Sequence, residues 1–431
     1  MDNMSNDIID QVVNIFLNET KIAEGCTEPI AIALSCAKAR SILNNIPDKI
    51  EMILSGNIIK NVKSVIVPNS GGKVGIEVAA AMGALYGDSD KELMTISQVT
   101  PDQMDIVNNF INKNSITVAR ADNDLKLYIK ATLYYKEEFV SVELKHHHTN
   151  ITEIIHNNKI LLKENKLERD NIEIDPASIL NIDLIYKATQ AVAIDLIKNR
   201  IDQIIKCNYA IAQEGLTHRY GVNIGLNIKR GIDGGFYGGD VRNISASFAA
   251  AASDARMGGS AMPVITASGS GNIGIISTIP LIVYCQEKKI NNDMLSRGLF
   301  FSILSAVYLK VGIGRLSAHC GPSIVSAGLA GALVYLNNGS LEQIKSAVNT
   351  TLSGIAGAIC DGANSSCAVK IANAVYAAYD GAISALNNNQ ITKNDGIVGN
   401  SVEDTIHNIG KMAKDAMKAT DEYVLQLMTR Q

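Results

Sequence analysis

The chain has 431 residues, 47% of them apolar and 19% charged, with a formal net charge of −4. That length supports two domains with ample core, and the absence of basic excess argues against nucleic acid or an anionic membrane surface as the main partner. The longest apolar run, IGIISTIPLIVYC (273–285), is broken by Pro280 and ends at QEKK, short of the roughly 20 residues a membrane helix needs, so it reads as core.

The first 25 residues carry acids and amides where an export signal needs basic residues and an unbroken apolar run, which predicts a cytoplasmic protein. A helix is expected from about Asp7 to Asn18. EGCTEPIAIALSCAKARSIL then reads as a turn and a helix with Pro29 in its first turn. IEMILSG and NVKSVIVP read as strands, and PNSGGKVGIEVAAAMGALYG as a Gly-rich loop opening an Ala-rich helix. ITVARAD, KLYIKATLYY and EFVSVELKH alternate apolar and polar residues between short polar turns, the pattern of an antiparallel meander. The stretch from Lys145 to Pro176 should end the sheet and link two halves.

From about Pro176 the pattern becomes helical and rich in Ala and Gly, as in VRNISASFAAAASDARMGG and GPSIVSAGLAGALVYL. The expected fold is therefore α+β. A mixed domain with an antiparallel sheet occupies residues 1–175, and a tightly packed all-helical domain residues 176–431. The small-residue helices could pack within or between chains, so a homo-oligomer is one expectation.

Seven cysteines, an odd number, predict reduced thiols and no disulfide framework. Cys36, Cys207 and Cys285 lie on apolar helical faces and read as core. Cys26 (EGCTEP), Cys320 (SAHCG), Cys360 and Cys367 (ICDGANSSCAVKIA) instead sit in turns at expected helix starts. Unpaired N–H groups there favour an anion such as a thiolate or a cluster sulfide. Placement alone leaves a shared metal or cluster site, a redox pair and plain packing open, because no spacing matches a zinc ribbon or a ferredoxin run.

Eight motifs in order, EGCTEP, VPNSGGKVGIE, HTN, QEG, ASDARMGG, ASGSGN, SAHCG and ICDGANSSCAVKIA, resemble the L-cysteine desulfidase family. The C-terminal half resembles the alpha domain of iron–sulfur L-serine dehydratases. The resemblance implies a [4Fe–4S] cluster on Cys320, Cys360 and Cys367, and α,β-elimination of L-cysteine to sulfide, ammonia and pyruvate. It places Cys26 as a ligand or a catalytic thiol. Where the family reads Gln after SGSGN, this chain has Ile273.

The residues themselves nominate three candidate bases. Cys26 could be a thiolate of depressed pKa at a helix start; His148 lies in HHHTN; Lys370 falls one turn beyond Cys367. Each has a bland alternative in packing or solvation. His319 could donate to the cluster sulfurs or simply cap. In PNSGGKVG and ASGSGNIG, glycine-rich loops could form an anion nest for an amino-acid carboxylate, with Asn69, Ser70, Ser268, Ser270 and Asn272 as polar contacts, or could simply be tight turns. Arg256, two residues from Asp254, could clamp the carboxylate or join a buried ion pair. Asp361 reads as turn chemistry. An L-serine dehydratase of similar mechanism is the nearest alternative. A pyridoxal-phosphate lyase would leave the turn-placed cysteines unexplained, and the absence of zinc-type spacing counts against a non-catalytic metal- or amino-acid-binding module.

Overall fold

The computed structural model describes residues 5–113, 115–164, 175–314, 316–393 and 395–429. Its first helix, α1 (Asn6–Glu19), leads into strand β1 (Ile22–Glu24) and the long helix α2 (Thr27–Leu43), with Cys26 as N-cap. Next come β2 (Lys49–Leu54), α3 (Gly56–Val62), α4 (Ile76–Tyr86) and α5 (Met104–Asn112). β3 (Ile116–Arg120), β4 (Tyr128–Tyr135), β5 (Glu138–Lys145), β6 (Ile151–His156) and β7 (Lys159–Lys163) follow.

Among the described residues these strands form one six-stranded sheet, ordered β3-β2-β4-β5-β6-β7. The meander from β4 to β7 is antiparallel. ITVARAD does not join that meander. β3 runs parallel to β2 at the sheet edge, with Ile50 opposite Ile116, because α3, α4 and α5 intervene and return the chain in the same direction. NVKSVIVP is not a strand either: its first residues finish α3, and Ile66 makes only an isolated bridge to Val74 across the glycine-rich loop. The expected linker contributes β6 and β7 instead, and its remainder, 165–174, lies outside the described residues.

The helical part comprises α6 (Pro176–Ile179), α7 (Ile182–Ala191), α8 (Ile194–Thr217), α9 (Ile224–Asp233) and α10 (Val241–Met257). A short strand, β8 (Pro263–Ile265), precedes α11 (Gly271–Lys288), α12 (Asn292–Ile313), α13 (Gly321–Leu336) and α14 (Leu341–Ile355). The chain closes with α15 (Cys367–Leu386), α16 (Val402–Lys411) and α17 (Lys418–Thr429). The run 273–285 is buried, as expected of core, but Pro280 does not break it, and α11 continues through the proline. Among the described residues one helix, α12, is long and apolar enough to cross a membrane, and 78% of its apolar window is buried within the fold.

One apolar core lies between the sheet and α2–α5, and a larger one fills the helical part. Helix α1 packs into the latter: Phe16 is fully buried, with its ring 5.0 Å from that of Phe300. β1 pairs antiparallel with β8, Ala23 opposite Val264, and so stitches the start of α2 to the start of α11. At the other end of the chain, Lys60 on α3 pairs with Asp421 on α17 at 2.5 Å, both buried. These two ties hold the mixed and helical parts around a shared cleft.

Candidate active site

The cysteine turns converge on that cleft. Cys320 is the N-cap of α13, and Cys367 is the first residue of α15. Cys360 is not at a helix start. It lies in an extended segment bridged to the turn before α13: Cys320 N–H donates to Ala358 O at 2.9 Å, and Cys360 N–H to Ala318 O at 2.7 Å. This short ladder puts Cys320 and Cys360 on adjoining segments, diagonal to one another across the His319–Ile359 bridge. Cys26, Val65 and Met257 form a small apolar cluster against which Ala363 and Cys367 pack, so the N-terminal motif meets the Cys367 turn.

The three C-terminal thiols act on one another electrostatically. Burial, then the Cys360 charge, push Cys320 up, while the Ser323 hydroxyl and N–H, both directed at its sulfur, pull the other way. Cys367 is pushed up to about 12 by burial first and by the Cys320 and Cys360 charges after it. A positive group faces them: Lys370, bonded to Asp361, has its pKa raised by Asp361, Cys320 and Cys367 against the opposing, largest effect of burial. Its position beside the thiols favours the protonated form, a counter-charge to them. Asp361 also accepts from Asn364 Nδ2 at 3.2 Å, the turn chemistry expected of it.

Glu28 organises the opposite wall. On its two carboxylate oxygens it accepts from Cys26 Sγ at 3.0 Å, Thr27 Oγ1 at 3.1 Å and Asn61 Nδ2 at 2.9 Å, and it faces His148 Nε2 at 3.9 Å. Burial alone would raise its pKa, but His148, the Cys26 thiol and Arg256 together hold it below the ordinary value. The same carboxylate decides the state of Cys26. Burial first, then the Glu28 charge, push that thiol well above its ordinary value, so it is a protonated donor and not the depressed-pKa thiolate expected at a helix start. Here desolvation and a neighbouring anion outweigh the helix terminus.

A cavity of about 650 Å³ opens between these walls. Glu28, His148, Ser268, Ser270, Lys310, His319 and Cys360 are among the groups that line it. Ser270 caps α11 by accepting from Ile273 N–H at 3.4 Å. Ser268, at φ 48°, has a buried hydroxyl without a hydrogen-bond partner among the described residues.

The other expected contacts lie elsewhere. Asn69 donates to Glu24 and to the Ile96 carbonyl, and Ser70 bonds to Lys73; both are spent on holding their own turn. Asn272 sits behind the wall, accepting from Ser253 at 3.3 Å. Arg256 is buried beneath it, its Nε 2.2 Å from where a Cβ on Gly271 would stand, and its charge acts on Cys26 and Glu28. Asp254, its neighbour two residues away, faces the start of α9 and accepts from Gly225 N–H at 2.9 Å.

Sequence reasoning did not single out Glu28, Asn61, Lys60 or Lys310. For Glu28 the signal lay in EGCTEP itself, a carboxylate two residues beyond a candidate thiol.

Residues 90–426 match the family model described as serine dehydratase alpha chain. The chain belongs to that family. A UPF0597 protein of Fusobacterium nucleatum is 46% identical over 423 residues, covering 98% of this chain and 99% of the relative. UPF0597 proteins of Desulfitobacterium hafniense and Treponema denticola are 38% and 39% identical, covering 97% and 98% of this chain and 96% and 98% of their own lengths. Membership points to an enzyme of the dehydratase, lyase kind, in a family associated with iron–sulfur clusters. The matched span holds Cys320, Cys360, Cys367 and His148; the Cys26–Glu28 motif lies outside it, within the reach of the full-length relatives.

The donor set fits such a cluster in kind: three thiols whose charges act on one another, beside the half-buried Lys370 ammonium. Among the described residues no group of three or more His, Cys, Asp and Glu side chains is arranged to hold a single metal ion. A single ion gathers its sulfurs at about 2.3 Å from one centre. A cluster binds each sulfur through a different iron and so sets its ligands further apart.

Proposed function

We propose that the chain is an iron–sulfur-dependent lyase that eliminates sulfide from L-cysteine, with Cys320, Cys360 and Cys367 as ligands of a [4Fe–4S] cluster. The observation that carries this reading is that Cys360 and the residues flanking Cys320 line one cavity with the Glu28–His148 pair, while Cys367 packs beside Cys26. A cluster held by three cysteines supplies an iron with an open position, a Lewis acid that makes sulfur a better leaving group.

The chain's own groups supply the rest. His148 is the base for the α-proton, and Glu28 opposite it stabilises the imidazolium that results. As the α-C–H bond breaks, its electron pair forms the α,β double bond, and the β-C–S pair departs with sulfur as sulfide. The aminoacrylate product takes up water and gives ammonia and pyruvate without further help. The Cys26 thiol, bonded to Glu28, is a proton-bearing group that holds this carboxylate in place. Lys370 offsets the negative charge gathered at the thiolates.

Ile273 favours sulfur over oxygen. It lines the cavity, with Cδ1 3.3 Å from where a Cβ on Gly321 would stand, directly after Cys320. An alkyl contact there suits a thiol, a weak donor that behaves as a small apolar group, better than a glutamine amide would. The family match favours a second reading, dehydration of L-serine by the same groups. Anaerobically purified protein assayed for pyruvate from L-cysteine and L-serine, with sulfide measured in parallel, separates the two. Equimolar sulfide and pyruvate from L-cysteine is the expected result. Pyruvate from L-serine alone moves the reaction to dehydration, and pyruvate from neither removes the lyase reading.

A further inference from the structure

We infer that Asn61 and Ser268 receive the ammonium of the amino acid, beside Glu28. The inference rests on the reading that a small amino acid occupies the cavity, and it adds which wall holds the α-nitrogen. Both side chains line that cavity, although Asn61 is only 7% exposed and Ser268 only 4%. Asn61 comes from the last turn of α3 and spends its Nδ2 on the Glu28 carboxylate at 2.9 Å. That leaves Oδ1, an acceptor, with no hydrogen-bond partner among the described residues, and the Ser268 hydroxyl is equally unmet. Buried polar atoms are almost always bonded, so two unmet ones lining one cavity mark where a ligand's donors belong.

The surroundings select a cation with several N–H groups. The hydrogen-bond donors to Glu28, from Cys26, Thr27 and Asn61, are all uncharged, and His148 Nε2 stands off at 3.9 Å. Lys60, next to Asn61 in the chain, is turned to Asp421 instead. Thr27 Oγ1 lies 3.1 Å from Glu28 Oε2 and 3.1 Å from the Gly269 carbonyl oxygen, so the Ser268–Gly269 turn is held against the Glu28 wall. An amide oxygen cannot donate and a carboxylate accepts only, so this wall repels a substrate carboxylate and suits an ammonium, which brings three N–H groups. The α-carbon is one bond from that nitrogen. His148 stands over Gly269, its Nδ1 3.3 Å from where a Cβ on that glycine would be, so an ammonium held here brings the α-proton to the base.

The test uses the full chain, purified anaerobically with its cofactor, and two ligands that lack a β leaving group. L-alanine and propanoate, which differ only in the α-ammonium, are titrated by calorimetry. The wild type is expected to bind L-alanine at least about tenfold more tightly. Ser268→Ala removes a hydroxyl that bonds nothing in the protein, so its melting temperature should match the wild type. Its L-alanine affinity should fall about threefold or more while propanoate binding stays within about twofold. Asn61→Leu, similar in volume, should reduce the preference in the same way, with some loss of stability because the bond to Glu28 goes too. Equal binding of the two ligands by the wild type overturns the inference without any variant needing to fold. So does binding of neither, or a preference that either folded variant leaves whole. Absence of L-cysteine turnover with the ammonium preference intact counts against the elimination reading and leaves the ammonium site standing.

Discussion

Replacing Lys60 by Ala should destabilise the chain more than most single substitutions. Lys60 and Asp421 are 2% and 7% exposed and 2.5 Å apart, 361 positions distant in sequence. Lys60 Nζ also approaches the Cys360 carbonyl at 3.5 Å, so the pair docks α17 and the cysteine turn onto α3. Removing one partner of a buried pair costs about 3–5 kcal/mol, because the other charge stays buried. Asp421 would keep Asn57 at 2.9 Å and Lys126 at 3.5 Å, which places the expectation near the lower end. An unfolding entropy of about 2.1 cal/mol/K per residue gives about 0.9 kcal/mol/K for this chain length, so the melting temperature should fall by about 3–4 °C at pH 7.

The pH dependence follows from Asp421. Burial alone would raise its pKa, but Lys60, Asn57 and Lys126 hold it below the ordinary carboxylate value. A depressed pKa contributes stability that is fully present above the unfolded value of about 3.9 and is lost as pH falls through the folded value. The gap between wild type and Lys60→Ala should therefore be full at neutral pH and shrink below about pH 4. Lys60→Met combined with Asp421→Leu should recover most of the loss, since an apolar pair of similar volume often matches a buried ion pair. Calorimetric melting of the three variants is the assay. A single-variant shift under about 1 °C, or a double variant no better than Lys60→Ala, would refute the reasoning.

Three further outcomes are expected. Glu28→Gln should lower kcat for L-cysteine by about 100-fold or more with iron content unchanged, and a loss under about threefold would remove His148–Glu28 as the base pair. Cys26, 2% exposed and protonated, should resist iodoacetamide at pH 8 in the native protein and react once unfolded, read by mass spectrometry of the labelled peptide; native labelling within minutes would contradict its assigned state. Gly83→Ala should lower the melting temperature by about 1–3 °C through overpacking, because its Cβ would lie 2.2 Å from the Ala33 carbonyl oxygen where α4 crosses α2; an unchanged melting temperature would show that the crossing can open.

The α+β class and the antiparallel β4–β5 pair were legible because alternation and helical periodicity are local signals, whereas β6 and β7 fell in a stretch expected to be a linker. The parallel β2–β3 pair was not, since it depends on where three intervening helices return the chain. NVKSVIVP carries strand-forming residues, yet α3 docking against α17 through Lys60 keeps its start helical. In the site, the cysteine turns announced themselves by residue type. Their chemistry did not: the state of Cys26 is set by Glu28 and burial, and that of Lys370 by Asp361 and two thiols. Asn69 and Ser70 looked like ligand contacts because Gly-rich loops with polar residues serve anion nests and tight turns alike. Lys310 sits in an apolar helical run where nothing local distinguishes a cavity-lining ammonium from a snorkelling one.

Iron and acid-labile sulfide content of the anaerobically purified chain, measured beside Cys320→Ala, Cys360→Ala and Cys367→Ala, test the shared cysteine site most directly. The wild type should carry about four irons and four sulfides with a broad visible absorbance, and each substitution should abolish both. Full iron retained in any of the three, or a wild type that takes up no iron on reconstitution while still eliminating sulfide from L-cysteine, would contradict it.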